Sequence, residues 1–231
     1  RLIETIRPPF SVDGHNLSVG LSIGIAIADS GMATPDELLR CADMALYEAK
    51  RNGRNRYEHF TERMGDIAQK RRAIENDLRE ALTSRQLRLY YQPITNHQHR
   101  EIIGYEALMR WLHPERGIIM PVDFIPIAEE TGLIHSLGAY ALYEACREAA
   151  TWPGEQSVAV NLSPLQFKNS ALVSVVEAAL KESGLAPHRL EVEITESVLL
   201  DNTLVNIHIL QNLKALGIRI ALDDFGTGYS S

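Results

Sequence analysis

Five oxygen-bearing side chains fall near the ends of apolar runs: Glu106, Asn161, Glu193, Asp223 and Asp224. The last two are the clearest, because the run Ile218 to Leu222 leads straight into two adjacent carboxylates and the loop Phe225 to Ser231, which carries Gly226 and Gly228. Carboxylate and amide oxygens are hard ligands for a divalent cation such as magnesium or manganese, and glycines let a backbone turn sharply beside what it binds. Singly, each position has a plain reading, since Asp and Gly end strands and a lone Glu in a strand is solvated or paired. Together they point further. At the carboxyl ends of successive strands of a parallel α/β barrel they would converge on the face where active sites lie, and several clustered carboxylates repel one another unless a cation neutralises them. In Leu190-Glu191-Val192-Glu193-Ile194 the alternation puts both glutamates on one side and the aliphatics on the other, so inward-facing glutamates need a partner.

The elements that must position these groups are legible from periodicity. Leu87 to Ile94 and Glu101 to Leu108 read as two strands forming a hairpin across the polar stretch Asn96 to Arg100. Pro121 to Thr131 and Ser136 to Thr151 read as helices, Gln156 to Leu162 as a strand, Ala171 to Ser183 as a helix, Arg189 to Thr195 as a strand, Leu204 to Leu216 as a helix and Ile218 to Asp223 as a strand. Strand and helix units repeated at this length imply a parallel sheet covered by helices, either an open doubly wound sheet or a barrel. Upstream, Leu17 to Ala28 alternates apolar with small residues and predicts one or two strands. Thr34-Pro35-Asp36-Glu37 predicts a helix start with a capping box, and Arg51-Asn52-Gly53 predicts its end. Glu62 to Leu82 has apolar residues spaced by three and four, an amphipathic helix whose first half is expected to be a linker.

Composition sets the class. With 231 residues, 45% hydrophobic and 23% charged, the chain has the balance of a folded globular protein, not a disordered one. A net charge of −7 argues against general affinity for DNA or RNA. Cys41 and Cys146 sit far apart in helical stretches, which predicts buried thiols in a reducing compartment, not a disulfide framework or zinc site. No apolar run approaches the ~20 residues needed to span a bilayer. No membrane contact is expected of this segment, and a cytoplasmic location follows, with any anchor lying outside it. The histidines lack ligand spacing: His97 and His99 flank one turn residue, and His15, His59, His113, His135, His188 and His208 are scattered, so surface roles are expected.

Two family resemblances emerge. Ser18 to Ala26, Ala42 to Lys50 and Gly53-Arg54-Asn55-Arg56 resemble the C-terminal portion of GGDEF-type diguanylate cyclase domains. The loop that names that family is absent from the chain, so this portion is expected to make nothing; Lys50, Arg54 and Asn55 read either as phosphate contacts or as a basic helix end. Tyr91-Gln92-Pro93-Ile94, Glu106-Ala107-Leu108-Met109-Arg110-Trp111, Asn161-Leu162-Ser163, Glu193-Ile194-Thr195-Glu196 and Asp223 to Ser231 resemble the EAL family of cyclic-di-GMP phosphodiesterases. The domains implied are 1–60, the C-terminal part of an α+β GGDEF domain; 61–73, a helical linker; and 74–231, an incomplete TIM-like α/β barrel. The resemblance implies hydrolysis of cyclic di-GMP to the linear dinucleotide pGpG with two magnesium or manganese ions.

By that likeness Glu106, Asn161, Glu193 and Asp223 ligate the first metal, and Asp224 serves the second metal and the attacking water. Glu196 steadies the loop after Asp224. Arg110 and Gln92 are placed for the substrate; an arginine beside Trp111 reads equally well as a fork for phosphate or guanine and as a surface stack. A homodimer through the EAL domain is implied. Both ends look cut: about five of eight barrel strands are present, so the 231-residue chain by itself is not expected to turn over cyclic di-GMP efficiently. The alternative is a non-catalytic cyclic-di-GMP receptor, against which the unbroken motifs count. Asp224-Phe225-Gly226 imitates a kinase metal tripeptide, but no His-Arg-Asp loop or glycine-rich phosphate loop accompanies it.

Overall fold

Two units make up the chain, Arg1–Ala73 and Ile74–Ser231, and the computed structural model describes residues 1–28, 34–96, 101–169, 171–200 and 204–223. The first unit begins with a short helix α1 (Leu2–Ile6) and an antiparallel hairpin of β1 (Phe10–Val12) and β2 (His15–Leu17). Next comes β3 (Ile23–Ile25), then α2 (Pro35–Arg51), then β4 (Tyr57–His59), which pairs parallel with β3. The capping box forms as the sequence requires: Thr34 Oγ1 accepts from the Glu37 N–H at 3.3 Å, and Glu37 Oε2 accepts from the Thr34 N–H at 3.1 Å. Cys41, Ala45 and Ala49 make the buried stripe of α2. Gly24 is what lets α2 lie so close on β3, because a Cβ there would collide with the backbone of Ala42 and Leu46. Past Gly53, the Arg54 N–H reaches back to Ala49 O at 3.0 Å, which makes this basic segment a helix cap. β1 and β4 are three-residue strands, too short to show a period of two in the sequence.

The boundary between the units falls inside α3 (Glu62–Ala81). In the second unit β5 (Leu87–Thr95) pairs antiparallel with β6 (Ile102–His113), and β7 (Gly117–Ile119) pairs antiparallel with β6. Helices α4 (Pro121–Thr131) and α5 (Ile134–Ala150) lead to β8 (Ser157–Leu162); a 3-10 turn (Pro164–Lys168) and α6 (Ala171–Ser183) lead to β9 (Leu190–Thr195). Then α7 (Glu196–Leu200) and α8 (Leu204–Ala215) lead to β10 (Arg219–Asp223). Strand order is β10-β9-β8-β6-β5, and the three steps from β6 to β10 are all parallel. Each parallel strand therefore lies beside the next one in sequence, with no reversal of order from a central strand. That is the winding of a barrel, and it decides between the two architectures that periodicity left open.

One face of this sheet is apolar. Ala107, Val158, Val160, Leu162, Leu190, Val192 and Ile194 bury against α5, α6 and α8, with Leu142, Ala145, Cys146, Val176 and Leu213 among the helix contributions. A second cluster joins Leu78 and Ala81 of α3 to Leu87, Trp111, Phe124 and Leu137. Trp111 is fully buried and its indole N–H donates to Gln86 Oε1 at 2.9 Å, which excludes a surface stack for Arg110 on this ring. Both cysteines are buried and unpaired.

Two expectations need correction. β6 runs to His113, five residues past the expected Leu108, because Met109 and Trp111 keep the alternation and pack into the two cores. And His113 is 7% exposed, not a surface residue. Its Nδ1 accepts the backbone N–H of Glu115 and of Arg116, so the ring proton sits on Nε2 and donates to Asp77 Oδ2 at 3.1 Å. Neutral imidazole satisfies every bond, and the residue pins the β6–β7 turn to α3.

Candidate functional site

The polar face of the sheet is set by register. Gln92 stands opposite Glu106, Glu106 opposite Ala159, Ala159 opposite Glu191, and Glu191 opposite Arg219, one row across five strands. The next row toward the carboxyl ends holds Asn161, Glu193 and Ala221, and the row after that holds Thr195 and Asp223. Residues of one parity along a strand share a face, so Gln92, Glu106, Asn161, Glu191 and Glu193 all belong to the face opposite the helix-packed core. The burial alternation of β9, in which Leu190, Val192 and Ile194 are buried and the residues between them are not, is the one expected from sequence.

Glu106 and Asn161 do not sit in the same row, yet they meet. Asn161 lies one step diagonally from Glu106, and the residue directly opposite Glu106 is Ala159, whose methyl leaves the space above it open. Asn161 Nδ2 donates to Glu106 Oε1 at 2.8 Å. A charge-assisted bond of this length holds the amide with its nitrogen toward the carboxylate, so Oδ1 remains an acceptor on the other side. Glu193 flanks Asn161 directly across β8 and β9. Glu106, Asn161 and Glu193 are thus brought together on adjacent strands.

Their position along the strands differs from the expectation in one respect. Asn161 is the penultimate residue of β8 and Asp223 the last of β10, but Glu106 lies in mid-strand, because β6 continues past it. It belongs to the same group because only Gly104–Ala107 pairs with β8, so Glu106 is near the end of the parallel part of its strand. Glu196 opens α7 directly after β9. Arg110, on the same face as Glu106, folds back along its own strand, with a guanidinium N–H donating to Met109 O at 2.9 Å. Asp224 and the Phe225–Ser231 loop, like His97 and His99, lie outside the described residues. Among the described residues there is no group of three or more His, Cys, Asp or Glu side chains placed to hold a metal; Asn161 bonds to Glu106 and stands in register with Glu193.

Glutamates on this face need a partner, and for Glu191 it is Arg219, paired at 3.3 Å within the Glu106 row. The missing signal was register: Arg219 and Glu191 are 28 positions apart and meet only because β9 and β10 align. Ser163 is the other residue whose part no local pattern signals. It follows Asn161 by two and bonds to Glu129 of α4.

The EAL domain family matches residues 75–231, and the diguanylate cyclase GGDEF domain matches residues 1–56. The chain is 43% identical, over its whole length and 34% of that protein's, to the bifunctional diguanylate cyclase/cyclic di-GMP phosphodiesterase MucR of Pseudomonas aeruginosa. It is 37% identical, over its whole length and 30% of that protein's, to the cyclic di-GMP phosphodiesterase NbdA of the same organism. The curated relatives it matches are much longer, and the chain spans from 28% to 35% of their length. Among solved structures it resembles a PaMucR phosphodiesterase in complex with c-di-GMP, with a TM-score of 0.66 and 45% identity over 69% of this chain and 66% of that one. No helix among the described residues is long and apolar enough to cross a membrane.

Proposed function

This chain belongs to the EAL domain family, with part of a GGDEF domain ahead of it, and from that we propose that the intact protein to which it contributes hydrolyses cyclic di-GMP to linear pGpG with the help of magnesium or manganese. Water adds to one phosphorus and the P–O3′ bond breaks. The 3′ oxygen leaves with a proton, and the phosphate stays on the 5′ side of the product. The observation that carries the proposal is the Glu106–Asn161 contact with Glu193 in register beside it.

The residues fit hard cations. Every donor in the group is oxygen, and the amide lowers the ligand charge without losing a ligand atom. Glu106, Asn161, Glu193 and Asp223 would hold one ion, and Asp224 would serve a second together with the attacking water. When bound, such ions neutralise the phosphate and make water nucleophilic at neutral pH. The rest falls to the chain's own groups. Arg110 supplies a rigid fork for a phosphate or guanine edge once its guanidinium swings from Met109 O, and Gln92, exposed opposite Glu106, offers both a donor and an acceptor. Glu196, at the start of α7, steadies the loop after Asp224. Buried unpaired thiols fit work in the reducing cytoplasm.

The test is to incubate the intact protein with cyclic di-GMP and either metal and to separate the products by chromatography, beside Glu106→Ala. Linear dinucleotide from the wild type and none from the variant is the expected result. Binding without turnover under either metal would replace the hydrolase with a receptor.

A further inference from the structure

We infer that Ser163 and Glu129 are positioning residues for the Asn161 amide, an inference that rests on the metal site proposed above. β8 leaves the sheet after Leu162, and Ser163 is the first residue beyond it. Its hydroxyl donates to Glu129 Oε1 at 2.7 Å and accepts from the Leu165 N–H at 3.2 Å, while its own N–H donates to Gln166 Oε1 at 3.0 Å. Gln166 is 4% exposed and is packed against α5 at Gly138, where a Cβ would run into its amide. Two elements therefore bond to the residue two positions after Asn161, α4 through Glu129 and the 3-10 turn through Gln166 and Leu165, and α5 backs Gln166 at Gly138.

Capping that turn does not require this arrangement. An Asp or Asn at the same place would accept from the turn N–H groups equally well. What an Asp cannot do is donate, and here the hydroxyl donates to a carboxylate, a short charge-assisted bond that ties the strand end to α4. The reason lies in the amide. A carboxylate presents two equivalent oxygens, whereas Asn161 presents one oxygen and one NH2, and a half-turn about its last bond would offer hydrogens in place of a ligand. The bond to Glu106 holds the orientation of the amide. The ladder to Glu193 on one side and the Ser163 clamp on the other hold the backbone from which it hangs.

The test uses the intact protein as wild type, Ser163→Ala, Ser163→Thr and Glu129→Gln. Manganese binding is measured by calorimetry, cyclic-di-GMP turnover is titrated against manganese, and thermal melting is recorded alongside. Loss of a group that orients a metal ligand weakens metal binding by about ten- to a hundredfold. Ser163→Ala is expected at about the lower end, with the manganese concentration for half-maximal turnover rising in parallel and a smaller loss of turnover at saturation. Ser163→Thr keeps the hydroxyl and restores both values; Glu129→Gln, with a neutral acceptor, falls between. If Ser163→Ala melts lower but binds manganese like a wild type that hydrolyses cyclic di-GMP, the clamp is only a helix cap and the inference fails while the hydrolase stands. If the variant binds manganese more weakly and the wild type hydrolyses nothing, the positioning role stands and the hydrolase fails. A wild type that binds no manganese sinks both.

Discussion

Asn161→Asp tests the geometry of the site without reference to turnover. With metal removed by EDTA, the substitution deletes the Nδ2 donor and sets a carboxylate oxygen where the donor had been, 2.8 Å from Glu106 Oε1. Two unit charges that close repel by roughly 1.5 kcal/mol if screened as in water and by several times more in a poorly solvated site. Asn161 is exposed, so the lower figure applies. Asn161→Ala removes the hydrogen bond alone, about 1 to 3 kcal/mol for a bond to a charged group. Asn161→Asp should therefore be less stable than Asn161→Ala by about 1 kcal/mol or a little more, side-chain rotation relieving part of the repulsion. The double variant Glu106→Gln with Asn161→Asp exchanges donor and acceptor and should recover most of the loss. Urea unfolding followed by tryptophan fluorescence is a suitable assay, because both tryptophans, Trp111 and Trp152, belong to the second unit. Equal stability of Asn161→Asp and Asn161→Ala, or no recovery in the double variant, would refute the contact.

Two further outcomes follow from packing and burial. Gly138→Ala should destabilise the second unit by about 1 to 2 kcal/mol in the same assay, even though Ala favours a helix by about 1 kcal/mol, because overpacking costs about 1 to 3 and the Gln166–Ser163 bond is lost as well; a more stable variant would mean Gln166 moves aside freely. Burial pushes the Cys146 thiol up from 9.0 to about 12, and burial, then Glu148 and Glu144, raises the Tyr91 hydroxyl. A raised acid contributes stability that is complete below its unfolded value and is lost as pH climbs toward the folded one. Unfolding free energy should fall between pH 9 and pH 12, and Cys146→Ala should lose less of it over that interval.

Much of this protein was decided locally. The Thr34 capping box, the helices Pro121–Thr131 and Ala171–Ser183, and the alternation of β9 each depend on neighbours within a few residues, and each formed where the sequence placed it. The polar residues Glu106, Asn161 and Glu193 stand out locally too, each an oxygen-bearing side chain near the end of an apolar run. Register, however, is a property of pairs of strands. A shift of one residue would have turned Asn161 into the helix-packed core and Val158, Val160 and Leu162 out of it, so the alternation of β8 fixes which face Asn161 takes but not which residues of β6 and β9 it meets. Tertiary structure alone settled that Ala159 leaves the gap through which Asn161 reaches Glu106, that Glu191 is answered by Arg219, and that His113 is buried on Asp77. These contacts join residues 28 to 55 positions apart, a separation over which sequence periodicity carries no signal because it depends on how the elements between them fold.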